Sequence, residues 1–185
     1  MCSSISSKRM TRVYLVRHAT PAWERKDIPY DVHPGPPLSP KGEKEAEALA
    51  EFLQRQGVLR LYYSPFERSA RTARIIAACN HIPALEEQRL AEWREADEMK
   101  ESVIDRMRLV FEDIARESAS LGPSALVSHG GPITFLLLAL GMEETDLSAW
   151  KNKFDGYNPL PPAGVWCAER NGDGRNWNLN LAYIP

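Results

Sequence analysis

The chain has 185 residues, 43% of them hydrophobic and 26% charged, with a formal net charge of −2. That balance suits one soluble globular domain with a sizeable core and excludes disordered or collagen-like chains. It leaves no footprint for nucleic acid or an anionic membrane, so any basic site must be local.

Cys2, Cys79 and Cys167 stand far apart, with neither metal spacing nor a disulfide framework, which points to a reducing, cytoplasmic setting. The Ser-rich Met1–Met10 segment lacks the apolar core of a secretory signal and is expected to fray, leaving residues 11–185 as a single domain. In chain order, the first element is a strand over Thr11–Arg17. A proline-rich loop follows. Ser39-Pro40 then reads as an N-cap with proline in the first turn of a helix. Ala46, Leu49, Ala50 and Leu53 sit on its inner face, and it stops near Gly57. A short strand is expected over Val58–Tyr63 and a second helix over Phe66–Cys79. Val103, Met107, Val110, Phe111 and Ile114 mark a third helix. A buried strand, Ser124–Ser128, runs into His129-Gly130-Gly131 and an all-apolar helix, Pro132–Leu140. The longest apolar stretch, Ile133–Met142, is too short to cross a bilayer. A hairpin closes the chain, with strands Gly164–Glu169 and Trp177–Tyr183 around the turn Asn171-Gly172-Asp173-Gly174. Strands alternating with helices predict a three-layer α/β/α sandwich with a mainly parallel central sheet.

In such sheets ligands bind beyond the carboxyl ends of the strands. Three predicted strands end in reactive side chains: the first in Arg17-His18, the second just before Arg68, the third in His129. If these strands are neighbours, two arginines and two histidines converge. Guanidinium forks match phosphate oxygens, and Gly130 and Gly131 allow backbone N–H groups at a helix start to approach the same anion. A neutral imidazole between them can take a phosphoryl group in line. A leaving alkoxide needs a proton, for which Glu92 is the first candidate and Glu95 the second.

These residues resemble the motifs of the histidine phosphatase superfamily, the phosphoglycerate mutase-like fold, from about Thr11 to the end. The strand-Arg-His-Gly motif is similar to Val13–Ala19. The Leu-Thr-x-x-Gly helix start resembles Leu38-Ser39-Pro40-Lys41-Gly42. The third motif is matched by Ser64, Arg68, Thr72 and Ala73, and the fourth by Val127–Gly131. The resemblance implies a compact phosphatase-type member with His18 as phosphoacceptor, Arg17 and Arg68 on the phosphoryl oxygens, His129 as a further donor, and Glu92 as general acid. It implies no metal and no cofactor. Ala19 departs from the usual glycine. Glu45 stands where glutamine is common and is expected on the helix surface. Glu24 takes the place of a phosphate-holding asparagine of mutases. The short span from Glu92 to His129 lacks the long insertion that covers the site in mutases, so an open, lidless site and hydrolysis rather than mutase activity are expected.

Taken singly, each residue has a plainer explanation: Arg68 a surface ion pair with Glu67 or Glu95, His129 a satisfied interior histidine. Their co-occurrence reverses that. The leading expectation is a metal-independent phosphomonoesterase working through a phosphohistidine, and the sequence does not choose between a small phosphorylated metabolite and a phosphoprotein as substrate. The alternatives are a phosphatase of phosphoproteins, phosphohistidine included, and a non-catalytic phospholigand-binding relative. His33 and His81 are expected at the surface. Trp23, Trp93 and Trp166 are candidates for the pocket mouth, at least one of them being core. The turn Pro161–Gly164 is expected near the site by resemblance. No nucleic-acid or membrane partner is expected, and oligomeric state carries no sequence signal.

Overall fold

The computed structural model describes residues 10–172, 174 and 176–185. The predicted frayed segment, apart from Met10, and Asp173 of the predicted turn lie outside them. Strand β1 (Met10–Arg17) is followed by α1 (Pro40–Arg55), β2 (Arg60–Tyr63), α2 (Glu67–Asn80), β3 (Ala84–Glu86) and a 3₁₀ turn, Gln88–Leu90. Then come α3 (Lys100–Leu121), β4 (Ser124–Ser128), α4 (Gly130–Ala139), α5 (Glu144–Lys153), β5 (Val165–Asn171) and β6 (Asn178–Tyr183).

The strands form one sheet in the order β3-β2-β4-β1-β5-β6. The first four are mutually parallel, while β5 runs antiparallel to β1 and β6 antiparallel to β5. The sheet is therefore mixed, with a parallel half that carries the predicted tips. Side chains alternate across β1 with the two-residue period of a strand. Val13 and Leu15 pack under Val103, Met107, Val110, Phe111 and Ile114 of α3 and Ile133 and Leu136 of α4. Tyr14 and Val16 pack on the other face, with Ala46, Leu49 and Leu53 of α1 and Ala73 and Ile76 of α2. Helices on both faces give the three layers.

Ser39 caps α1 by accepting the Gly42 N–H at 3.0 Å, with proline at the helix start as expected. The far end is a Schellman closure: the Val58 N–H reaches the Leu53 carbonyl at 3.1 Å and the Gly57 N–H reaches Gln54 at 2.9 Å, with Gly57 at φ +71°. Val58 is spent on that cap, so β2 begins at Arg60 rather than at residue 58. Helix α4 starts two residues before the predicted Pro132. The proline occupies its first turn, where no intrahelical N–H bond is lost. No helix among the described residues is long and apolar enough to cross a membrane.

Candidate active site

The strand register brings the tips level. Arg17 stands opposite Ser128, and both Val16 and Tyr63 stand opposite Val127. The ladder continues one step beyond, with His18 N–H on the Ser128 carbonyl and Ser64 N–H on the Val127 carbonyl, each at 3.0 Å. Because β5 runs the other way, its leading turn arrives at the same end of the sheet. There the Gly164 carbonyl accepts the Arg17 N–H, and the Ala163 N–H donates to the His18 carbonyl, both at 3.1 Å. The expected approach of Pro161–Gly164 is thus part of the geometry.

His18 is fully buried. Its Nδ1 lies 2.8 Å from the Ala19 carbonyl, to which only an N–H can donate. That leaves the lone pair on Nε2, which receives Arg68 Nε at 3.2 Å and the Tyr30 hydroxyl at 3.2 Å. Burial, reinforced by the charges of Arg68 and Arg17, holds the imidazole pKa well below its usual value. The ring is a neutral base with one fixed tautomer.

Arg68 is not a surface residue: it is fully buried in the first turn of α2, and its ion-pair partner is Glu92 rather than Glu67 or Glu95. Besides His18, its fork holds the Tyr30 carbonyl at 2.9 Å through Nη1 and Glu92 Oε2 at 3.0 Å through Nη2. Arg17 donates from Nη1 to the Leu160 carbonyl at 2.9 Å and stands 3.4 Å from Asp155, while its buried Nε has no partner.

His129 caps α4, fully buried, with its ring centroid 5.2 Å from that of His18. Its Nε2 lies 2.7 Å from the Ser64 hydroxyl. Its Nδ1 lies 3.3 Å from Glu92 Oε2 but is not aligned to form a hydrogen bond with it. Burial, then the charge of Arg68, lowers the His129 pKa well below the usual value. Glu92 shows only 11% side-chain exposure, and burial raises its carboxyl pKa against the opposing pull of Arg68 and Arg17. Glu95 is exposed, so of the two candidate acids only Glu92 lies in the cluster. Gly130 sits at the start of α4, where a β-carbon would fall 1.7 Å from Asn158 Oδ1. Only glycine allows that approach. A β-carbon on Gly131 would stand 3.8 Å from Glu92 Oε1, in ordinary contact.

Two expectations are overturned. The site is not open, because His18 is fully buried and Tyr30, from the proline-rich loop, covers Nε2. Glu45 is not a solvated surface residue: with 11% side-chain exposure it accepts the Thr20 N–H at 2.8 Å and pairs with Lys41 at 3.3 Å. The β-carbon of Ala19 is absorbed in the apolar core between β1 and α1. Its N–H donates to Thr72 Oγ1 at 3.1 Å, and the Thr72 hydroxyl donates to the Arg68 carbonyl at 2.7 Å, tying the two tips together.

Trp166 is core, whereas Trp23 is exposed and stacks on Tyr30 with centroids 5.1 Å apart. Trp93 packs edge-on against Phe135. His33 and His81 are exposed. Tyr30 and the partners of Arg17 were not singled out in the sequence. Ser64 appeared there only as a motif position, without its role of holding His129.

Three comparisons with known proteins bear on this chain. Residues 13–100, which include Arg17, His18, Arg68 and Glu92, match the model of the histidine phosphatase superfamily (branch 1). The chain is 35% identical over 86 residues to phosphoserine phosphatase 1 of Hydrogenobacter thermophilus, a stretch covering 45% of this chain and 39% of that protein. The match thus spans well under half of the relative's length. The fold is similar to that of a mycobacterial glucosyl-3-phosphoglycerate phosphatase complexed with VO3, with TM-score 0.72 and 20% identity over 95% of this chain and 100% of the other. It is similar also to a phosphoglycerate mutase from Bacillus anthracis, with TM-score 0.71 and 15% identity over 95% and 93% of the two chains. His129 lies beyond the matched stretch, and the shared fold is what carries it to the same sheet end as His18. Motif, spacing and topology agree: residues 13–100 are similar to the histidine phosphatase superfamily (branch 1), and the chain shares the fold of the structures named above.

Proposed function

We propose that this chain hydrolyses phosphomonoesters through a phosphohistidine on Nε2 of His18, with no metal. One observation carries the reading: a neutral nucleophilic nitrogen is buried among cationic groups, where the obligatory donor Arg17 Nε lacks a partner, as does the ring nitrogen Nδ1 of His129. Buried polar atoms are rarely left unpaired, and a phosphoryl group supplies the missing acceptors. Arg17, Arg68 and His129 spread the charge of the transferring oxygens, helped by the N-terminus of α4 at Gly130. As the Nε2–P bond forms and the ester P–O bond breaks, Glu92 gives its proton to the leaving oxygen. The resulting carboxylate then takes a proton from water, whose oxygen attacks phosphorus. The N–P bond breaks, and inorganic phosphate leaves.

Hydrolysis is favoured over mutase chemistry because the span from Glu92 to β4 is occupied by α3, whose apolar face lies in the core. The arginines near its start, Arg94 and Arg106, are held by Asp31, Asp97 and Glu98 rather than free for a second phosphate. The depth of His18 favours a small phosphorylated metabolite over a protein surface. In excess chelator, the wild type should turn over p-nitrophenyl phosphate, and His18→Ala should abolish it. Acid-labile but alkali-stable phosphate on His18 should be trapped by rapid quench. Full activity of His18→Ala would overturn the reading.

A further inference from the structure

The hydroxyl of Tyr30 lies 3.2 Å from Nε2 of His18, on the lone pair that the proposed chemistry needs. A reacting phosphorus must come within about 3–3.5 Å of the attacking nitrogen. The phenol oxygen and the phosphoryl group therefore cannot share that place. We propose that Tyr30 is the gate of this site: its ring must swing off His18 before a phosphoryl group can reach Nε2. This rests on the reading of His18 as phosphoacceptor.

The moving part is the side chain rather than the loop. The loop backbone is tied at Ala22 N–H to the Pro37 carbonyl and at Glu67 N–H to the Pro34 carbonyl, both at 2.8 Å. The Tyr30 carbonyl is held by Arg68 at 2.9 Å, and Asp31 pairs with Arg94 at 3.2 Å. The ring, by contrast, is held by weaker contacts: the stack on the exposed Trp23, and Arg68 placed 4.0 Å from its centroid. It also has somewhere to go. A cavity of about 330 Å³ lies within the loop, lined by Trp23, Ile28, Pro29, Tyr30 itself and Pro36. A bound phosphoryl group would compensate for the displaced hydroxyl by offering acceptors to Arg68 Nε and to the unpartnered Arg17 Nε.

The test is the reactivity of His18 with diethyl pyrocarbonate, followed by mass spectrometry. His18, His33 and His81 fall on separate tryptic peptides, so the exposed His33 and His81 serve as internal references. In the wild type, His18 should be labelled on the order of tenfold more slowly than either reference, or slower still, as for a group that reacts only on local opening. Tyr30→Ala should raise the His18 rate to approach the references. Tyr30→Phe, which keeps the ring and so tests the idea even if the alanine variant folds poorly, should raise it about fivefold for the lost hydrogen bond. Inorganic phosphate should slow labelling of His18 in Tyr30→Ala. If wild-type His18 is labelled as fast as His33, or if neither variant changes its rate, Tyr30 is not a gate. Labelling needs no turnover, so loss of the gate and loss of the phosphatase reading are separate outcomes.

Discussion

On the proposed reading, Glu92 is the buried carboxyl that donates the proton. It faces Arg68 at 3.0 Å and His129 at 3.3 Å, and burial still raises its pKa. A raised pKa keeps the acid form into a higher pH range, so kcat/KM should be highest on the acid side and fall as pH rises through the Glu92 pKa. His18 does not oppose this, because its lowered pKa keeps Nε2 unprotonated at mildly acidic pH. Glu92→Gln should abolish the alkaline fall and lower kcat/KM for an alkyl phosphate by roughly 10²–10⁴-fold. For p-nitrophenyl phosphate, whose leaving group needs no proton, the loss should be much smaller. Equal losses on both substrates would assign Glu92 a role in holding Arg68 rather than in proton transfer. Ser64 invites a parallel experiment. Its hydroxyl is the short partner of His129 Nε2, so Ser64→Ala leaves a buried imidazole nitrogen without it. A drop in kcat with little change in KM, restored in part by Ser64→Thr, would identify a positioning residue.

At the scale of elements, α1 does more than fill the core. Its first turn is pressed against the backbone that follows His18. Ser39 donates to the Thr20 carbonyl at 3.1 Å, Glu45 accepts the Thr20 N–H at 2.8 Å, and a β-carbon on Gly42 would fall 2.0 Å from the Thr20 carbonyl oxygen. Gly42→Ala must therefore push the helix away from Thr20 or move the chain beside His18. The expected cost is about 1–3 kcal/mol of stability, as for overpacking in a filled interior. It should appear as a lowered melting temperature together with a loss of activity larger than that of Ser39→Ala, which removes a cap worth about 1 kcal/mol and the hydroxyl bond to Thr20 but forces no backbone apart. A normal melt and normal turnover in Gly42→Ala would show that Thr20 yields freely.

This scale is also where the sequence was most readable, and where it stopped. Strand β1 and the stripe on α3 were legible because their apolar periods match their buried faces. The tips were legible because Arg17-His18 and His129-Gly130-Gly131 interrupt those periods. Helix α5 gave no apolar stripe, since Leu147 is its one residue among the buried ones. Only the acidic start, Glu144 and Asp146, and the basic end, Lys151 and Lys153, signalled it. Strand β3, three residues with two exposed, is too short to show a period. Tyr30 could not be placed, because its position depends on how a proline-rich loop folds over an end of the sheet. That fold is set by distant partners such as Arg68 and Glu67.

Across the whole molecule, collecting these groups at one buried end of the sheet couples the site to acid stability. His18 and His129 are both fully buried with pKa values held well below the usual histidine value near 6.5. Such groups stabilise the fold above the unfolded-state pKa, and the contribution is lost as pH falls toward the folded one, because only the unfolded chain takes up the protons. Glu92 acts in the opposite sense: its raised pKa favours the fold below about 4.5, the ordinary carboxyl value, and that contribution is lost as pH rises through the folded value. Below pH ~6.5 the unfolded chain therefore gains up to two histidine protons, while the folded chain holds at most one extra on Glu92. The balance favours unfolding by at least about 1.4 kcal/mol per pH unit once both histidines titrate in the unfolded chain. Thermal melts should start to fall as pH drops through about 6.5 and approach that slope toward pH 5. The double variant His18→Gln, His129→Gln should flatten the fall, whatever its stability at neutral pH. A wild-type melting temperature that stays level from pH 7 to pH 5 would mean that the folded protein accepts those protons, and that the imidazoles are less sequestered than their burial under Tyr30 and Arg68 implies.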